Sequence, residues 1–276
     1  MEKILLIVNA RKPNLESISF ACKMAKTAQT KLTGLFIENL NFDYVPPAGI
    51  DTPSYFIPIN QTDTATIAAD TERAIKLFLE QCEKKGVQAE IYRDKGEPLA
   101  EVLFESRFAD LMIVTPDNSY YPSEEQMPSN FVKKILANAE CPVLLAPQKI
   151  EEFDEIVFCY DGSVSSVFAI KQFTYLLPEF NNKKVLLLEV NKSEQTGVNE
   201  SLRRMMQWLR AHYSTVAHHS LTGNVKDELF TYFFMKTNKL IVIGAYGRSM
   251  LSSFFKKSSA DVLIHMVDLP LFITHH

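Results

Sequence analysis

The chain has 276 residues, nearly twice the ~150 residues that one domain usually takes, so two domains are the starting expectation. Hydrophobic residues make up 46% and charged residues 22%, an ordinary globular balance that speaks against long disorder. A net charge of −4 gives no basic face for a polyanion, so no nucleic-acid partner is expected.

The four cysteines (Cys22, Cys82, Cys141, Cys159) are scattered in apolar contexts, with no C-x-x-C pair. They read as small buried hydrophobes, not as a disulfide framework or a zinc ribbon. The opening MEKILLIVNARKPN has an apolar core too short for a signal peptide. No run approaches the ~18 apolar residues of a membrane span. The expectation is a cytoplasmic protein with no membrane partner.

In chain order, the first half offers short apolar runs at Ile4–Val8, Leu32–Ile37, Val87–Tyr92, Leu111–Thr115 and Val143–Ala146. Between them lie helical spacings: Ile75, Phe78, Leu79 and Cys82, then Leu99, Val102, Leu103 and, more weakly, Ser106. Apolar runs without alternation imply strands buried on both faces, as in a parallel sheet sandwiched by helices. The second half repeats the plan. Its strands are expected at Glu155–Tyr160, Lys184–Val190, Ser214–Leu221, Leu240–Gly244 and Leu271–Thr274. Its helices carry Val198, Leu202, Met205, Met206 and Leu209, then Val225, Leu229, Tyr232 and Phe233, and finally Ala260, Leu263, Ile264 and Val267.

The halves also align with each other. DKGEPLAEVLF (Asp94–Phe104) answers TGNVKDELF (Thr222–Phe230), ADLMIVTPDN (Ala109–Asn118) answers NKLIVIGAYG (Asn238–Gly247), and CPVLLAP (Cys141–Pro147) answers LPLFITH (Leu269–His275). The spacing from Gly96 to Pro142 equals that from Gly223 to Pro270 within one residue. A repeat of this length is a duplicated domain. The expected division is 1–148 and 153–276, with Gln148–Asp154 as the linker. The first copy is longer because Asn39–Thr66 inserts a Pro- and Tyr-bearing loop.

One constellation carries chemistry. The strand IVFCY ends in Asp161-Gly162-Ser163, and LIVI ends in Gly244-Ala245-Tyr246-Gly247. Both sets fall where strands run out and helices begin, the place where open parallel sheets bind ligands. Two glycines three apart let backbone N–H groups approach a phosphate, and a helix N-terminus adds a favourable dipole. Nine residues later (RSMLSSFFK) come Lys257-Ser258-Ser259, opening the last helix.

Strand-Asp, then strand–Gly-x-x-Gly, nine residues and Gly-Ser resembles the nucleotide motif of the universal stress protein family, and the whole chain resembles a tandem member of it. The resemblance implies two Rossmann-like (adenine nucleotide alpha hydrolase-like) α/β domains, each a five-stranded parallel sheet with helices on both faces. It also implies ATP or AMP, with Mg, at Asp161 and Val190 on the adenine and ribose side. Gly244, Gly247, Lys257 and Ser258 would lie on the phosphate side. Lys257 departs from the family's Gly: it either fills the phosphate space or supplies charge to it, with Arg248 and Lys256 adding to a positive cluster. In the first copy Asn9 stands for Asp161, Thr115 and Asn118 for the glycines, and Ser129-Asn130 for Lys257-Ser258, so that site reads as degenerate. Family members pair through their last strand. Val143–Ala146 is therefore expected to pair with Leu271–Thr274 inside the chain as a pseudo-dimer, leaving a homodimer open.

The implied function is a nucleotide-responsive stress-adaptation or signalling protein, not an enzyme, or at most a weak ATPase. The alternative is a dimerisation or scaffold protein of the same family that binds no nucleotide. Adenylyl transferases and ATP pyrophosphatases need an HxGH or SGGxDS signature, and DGSVSS after Tyr160 is neither. His218-His219 read as solvated strand-end residues, Trp208 as partly buried packing, Ser249–Ser259 as an exposed polar loop, and His275-His276 carry no assignment.

Overall fold

The computed structural model describes residues 1–38, 61–120, 127–147, 152–191, 199–234, 236–245 and 269–275. In chain order these form β1 (Lys3–Val8), α1 (Leu15–Thr27), β2 (Lys31–Ile37), α2 (Gln61–Lys85), β3 (Ala89–Asp94), α3 (Pro98–Ser106), β4 (Leu111–Val114), α4 (Asn130–Asn138) and β5 (Val143–Leu145). The second half runs β6 (Glu155–Tyr160), α5 (Val164–Leu176), a 3-10 turn at Pro178–Phe180, β7 (Lys184–Asn191), α6 (Glu200–His212), β8 (Thr215–Thr222), α7 (Val225–Phe233), β9 (Lys239–Ala245) and β10 (Leu271–His275). The final helix expected around Ala260, Leu263, Ile264 and Val267 lies outside the described residues, as does Val198.

All ten strands share one sheet, in the order β3-β2-β1-β4-β5-β10-β9-β6-β7-β8. Each half is parallel throughout, and the second repeats the order of the first in mirror sequence across the joint. The joint is the expected one: β10 runs antiparallel to β5, with Leu271 opposite Leu145, Phe272 opposite Leu144 and Ile273 opposite Val143. Two last strands that would each have been an open edge thus close each other.

The apolar runs give the two-sided burial that they imply. In β1, Ile4 and Leu6 enter one core layer while Leu5 and Ile7 enter the other. The first layer holds Phe20 of α1, Phe78 of α2, Phe173 of α5 and Leu209 of α6, and it runs unbroken through both halves. The opposite layer holds Val102 of α3, Ile135 of α4 and Leu229 of α7. β3 and β8 depart from the expectation: both are largely exposed because they form the two edges of the sheet.

Other sequence expectations need adjustment. β3 begins at Ala89, not Val87. Leu79 is 40% exposed, since α2 buries the row Ala74, Phe78 and Cys82 instead, four residues apart on one stripe. The inserted loop is also shorter than Asn39–Thr66, because α2 already begins at Gln61; residues 39–60 lie outside the described residues, as do 148–151 of the linker. The linker's last residues join the second half: Phe153 meets Phe180 edge to face at 5.1 Å, and Lys183 Nζ donates to the Phe153 carbonyl at 2.8 Å.

Candidate functional site

In each half the strand order switches direction beside the first strand, between β1 and β4 and between β6 and β9. The crevice outside the carboxyl ends of those strands is where such sheets bind ligands. The two crevices are built differently.

In the second half β6 ends at Tyr160 and only three residues separate it from the start of α5 at Val164. Gly162 makes this possible with φ +77, a left-handed conformation that side chains resist. Asp161 Oδ1 accepts from the Ser163 N–H at 3.0 Å, and Ser163 caps α5 by accepting from the Ser166 N–H at 3.1 Å. Asp161 is exposed, and among the described residues its second carboxylate oxygen carries no hydrogen bond. So short a turn presses α5 onto β9. A Cβ on Gly244 would stand 2.5 Å from the Ser165 carbonyl carbon and 2.8 Å from the Ser166 nitrogen, and closer still to the Ser165 oxygen. Glycine is therefore demanded at 244 by helix–strand packing, whatever binds there.

Beside Asp161 lies a mainly apolar slot of about 100 Å³, walled by Cys159, Leu188, Val190, Val225, Leu229 and Ile243, and bordered also by Ser166 and Gly244. Alternation along the strands puts Cys159, Leu188, Val190 and Ile243 on one face of the sheet, and α7 covers them. Burial pushes the Cys159 thiol up to about 12, with the Asp161 charge adding to it, so the wall is uncharged at neutral pH. An apolar slot with one acceptor at its mouth can hold a flat heterocycle and hydrogen-bond an attached polar group. The structure thus brings together Asp161, Val190 and Gly244 of the expected set. Gly247, Lys257 and Ser258, with Arg248 and Lys256, lie outside the described residues.

In the first half the turn from β1 to α1 is three residues longer, running from Asn9 to the helix cap Asn14. That leaves room for the Thr115 side chain at the position answering Gly244. Asn9 is committed internally: Nδ2 donates to the Ser119 carbonyl at 2.8 Å, and Oδ1 accepts from the Arg11 N–H at 3.1 Å. A carboxylate could not make the first of these bonds, since it has no donor. Asn118 Nδ2 donates to the Ile7 carbonyl at 3.3 Å, Tyr120 Oη to the Val8 carbonyl at 3.4 Å, and Ser129 Oγ to the Asn118 carbonyl. The loop after β4 is thereby stitched over the end of β1. It leaves a cavity of about 300 Å³ beside Asn9, Lys12, Asn14, Thr115 and Asp117. Polar groups make up more of its wall than of the opposite slot's, and among the described residues the buried Asn118 Oδ1 finds no hydrogen-bond partner.

The histidines are better connected than the sequence suggested. His218 lies within β8, not at a strand end, and its Nε2 is 3.5 Å from the buried Glu189 carboxylate on the neighbouring strand. His219 faces Tyr232 at 5.9 Å. Trp208 packs as expected, partly buried, with its ring 4.1 Å from that of His212. Among the described residues no group of His, Cys, Asp and Glu side chains could hold a metal ion, and no helix is long and apolar enough to cross a membrane.

Sequence reading missed the slot's other walls. Their signal was the two-residue alternation along β6, β7 and β9, together with the Val225/Leu229 spacing on α7, but only the strand order shows that these stripes meet.

No family model matches the chain, and no curated protein does. Solved structures do. A universal stress protein from Archaeoglobus fulgidus superposes with a TM-score of 0.71 over 99% of this chain and 96% of its own, at 16% identity. A Pseudomonas aeruginosa protein described as a candidate universal stress protein gives 0.59 over 100% and 93%, at 12% identity. A functionally unknown protein from the same species gives 0.54 over 100% and 92%, at 11% identity. At such identities the likeness is one of fold: this chain has the α/β fold of universal stress proteins along its whole length.

Proposed function

We propose that the chain is a tandem universal stress protein, with domains 1–148 and 153–276, whose second domain binds an adenine nucleotide and responds to it without catalysing a reaction. The observation that carries this is the apolar slot at the β6/β9 crevice, with Asp161 at its mouth holding one carboxylate oxygen uncommitted among the described residues. In this reading adenine lies against Val190, the ribose hydroxyls donate to Asp161, and Gly247, Lys257 and Ser258 complete the phosphate side beyond Gly244. AMP or ATP, the latter with its Mg²⁺, is the ligand, and a cytoplasmic location and a homodimer belong to the same proposal.

Mass spectrometry of small molecules released from freshly purified protein, followed by calorimetry with AMP and ATP, tests it. Asp161→Ala should weaken binding by about 1–3 kcal/mol, the value of a lost hydrogen bond to a charged group. Asn9→Ala should leave binding unchanged, because the Asn9 carboxamide is occupied by Ser119 and Arg11. No nucleotide released and none bound at millimolar concentration, or equal losses from the two variants, would refute the reading.

One observation favours the second reading, a scaffold that binds no nucleotide. Gly244 is explained by its packing on Ser165 alone, so its presence does not require a phosphate.

A further inference from the structure

Cys22 and Cys82 lie sixty residues apart in sequence, yet their sulfur atoms are 3.6 Å apart where α1 packs on α2. Both are fully buried, with exposures of 0% and 1%. A disulfide needs its sulfurs about 2.05 Å apart, so roughly 1.5 Å of closure separates this contact from a bond. We propose that Cys22 and Cys82 are an oxidation site: a dithiol that a hydroperoxide converts into one disulfide joining α1 to α2.

The two thiols are not equivalent. Either sulfur can donate across this contact, but the contact together with the nearby Lys85 charge lowers the Cys22 thiol, while the same contact and burial raise that of Cys82. Cys22 is therefore the nucleophile. Its thiolate attacks one oxygen of the hydroperoxide: the S–O bond forms, the O–O bond breaks, and the departing oxygen takes up a proton and leaves as an alcohol or as water. Cys82 then attacks the Cys22 sulfenic acid: the S–S bond forms, the S–O bond breaks, and the hydroxyl leaves as water with the Cys82 proton. Two thiols lose two electrons, and the peroxide gains them. Among the described residues the other cysteines lack such a partner. Burial pushes the Cys141 and Cys159 thiols each up to about 12, and neither has another described sulfur in hydrogen-bond contact.

Since neither sulfur reaches solvent, oxidant enters only when α2 opens locally from α1, so the reaction should quicken in sub-denaturing urea. The product then fastens α2, the helix that follows residues 39–60, to the sheet-bound α1.

The test treats the full chain with hydrogen peroxide, blocks free thiols with iodoacetamide, and maps tryptic peptides without reduction. The expected product is Lys12–Lys23 linked to Leu77–Lys84, released by dithiothreitol. The oxidised protein should also melt about 5 °C or more higher than the reduced one, as a cross-link closing so long a loop does. Cys22→Ser should abolish both effects, and Cys141→Ser should abolish neither. Recovery of the two peptides separately, as blocked thiols or as sulfinic acids, or linked to Cys141 or Cys159, would overturn the proposal. Peptide mapping of the unmutated chain decides the matter even if Cys22→Ser does not fold.

Discussion

Gly244→Ala tests the close fit on which the candidate site is built. The added methyl group would meet α5 backbone at 2.5 Å and 2.8 Å, against an ordinary contact of 3.4 Å or more. Relief therefore takes almost an ångström of movement in the first turn of α5, because no rotamer change can clear a carbonyl group. That turn is tied down by the Ser163 cap, and farther along the helix Phe173 packs at 5.7 Å against Phe158 and 5.2 Å against Phe272. Overpacking a core costs about 1–3 kcal/mol, and a clash with fixed backbone belongs at the top of that range, about 3 kcal/mol. Gly96→Ala is the control. There the three atoms nearest the new methyl group all belong to the side chain of Glu101, which can swing aside, and the cost should stay below about 1 kcal/mol. Urea denaturation followed by circular dichroism reads both variants. A Gly244→Ala protein within about 0.5 kcal/mol of wild type would refute the packing account of this glycine.

Lys257→Gly should strengthen ATP binding if the lysine fills phosphate space. Weaker binding in Lys257→Ala, together with loss on adding salt, would show instead that it supplies charge; tight ATP binding unchanged by either substitution refutes both versions. Phe272→Ala, at a fully buried ring in the strand that joins the halves, should cost about 3–5 kcal/mol in chemical denaturation, and a loss below about 1 kcal/mol would contradict its core role. Glu200 at the start of α6 is held down to about 2 by hydrogen bonds from Arg203 and Arg204. A lowered carboxyl stabilises the fold above its ordinary pKa and loses that contribution as pH falls toward about 2; an NMR titration of Glu200 with a midpoint near its ordinary value would refute the pairing.

The sequence by itself determined the class of fold. Uninterrupted apolar runs such as ILLIV and LMIV can bury only between two helical layers, and the matched blocks around Gly96 and Gly223 already announce that the second half repeats the strand order of the first. Pairing between the two last strands was also legible, because two open edges in one chain satisfy each other. Asp161 and Gly244 could be located from sequence because their types and spacing are local properties of strand ends.

Only the tertiary structure decided the rest, since it depends on groups that are distant in sequence. The strand order makes β3 and β8 exposed edges although they read as strands like the others. The number of residues between the first strand and its helix sets how closely that helix packs. Three residues fewer in the second half bring α5 onto Gly244, while three more in the first half make room for Thr115. The loop over Asn9 likewise turns a position that resembles a lost ligand contact into a structural hydrogen bond. Burial beside a partner also distinguishes Cys22 and Cys82 from the other cysteines, and no spacing along the chain shows that these two sulfurs meet.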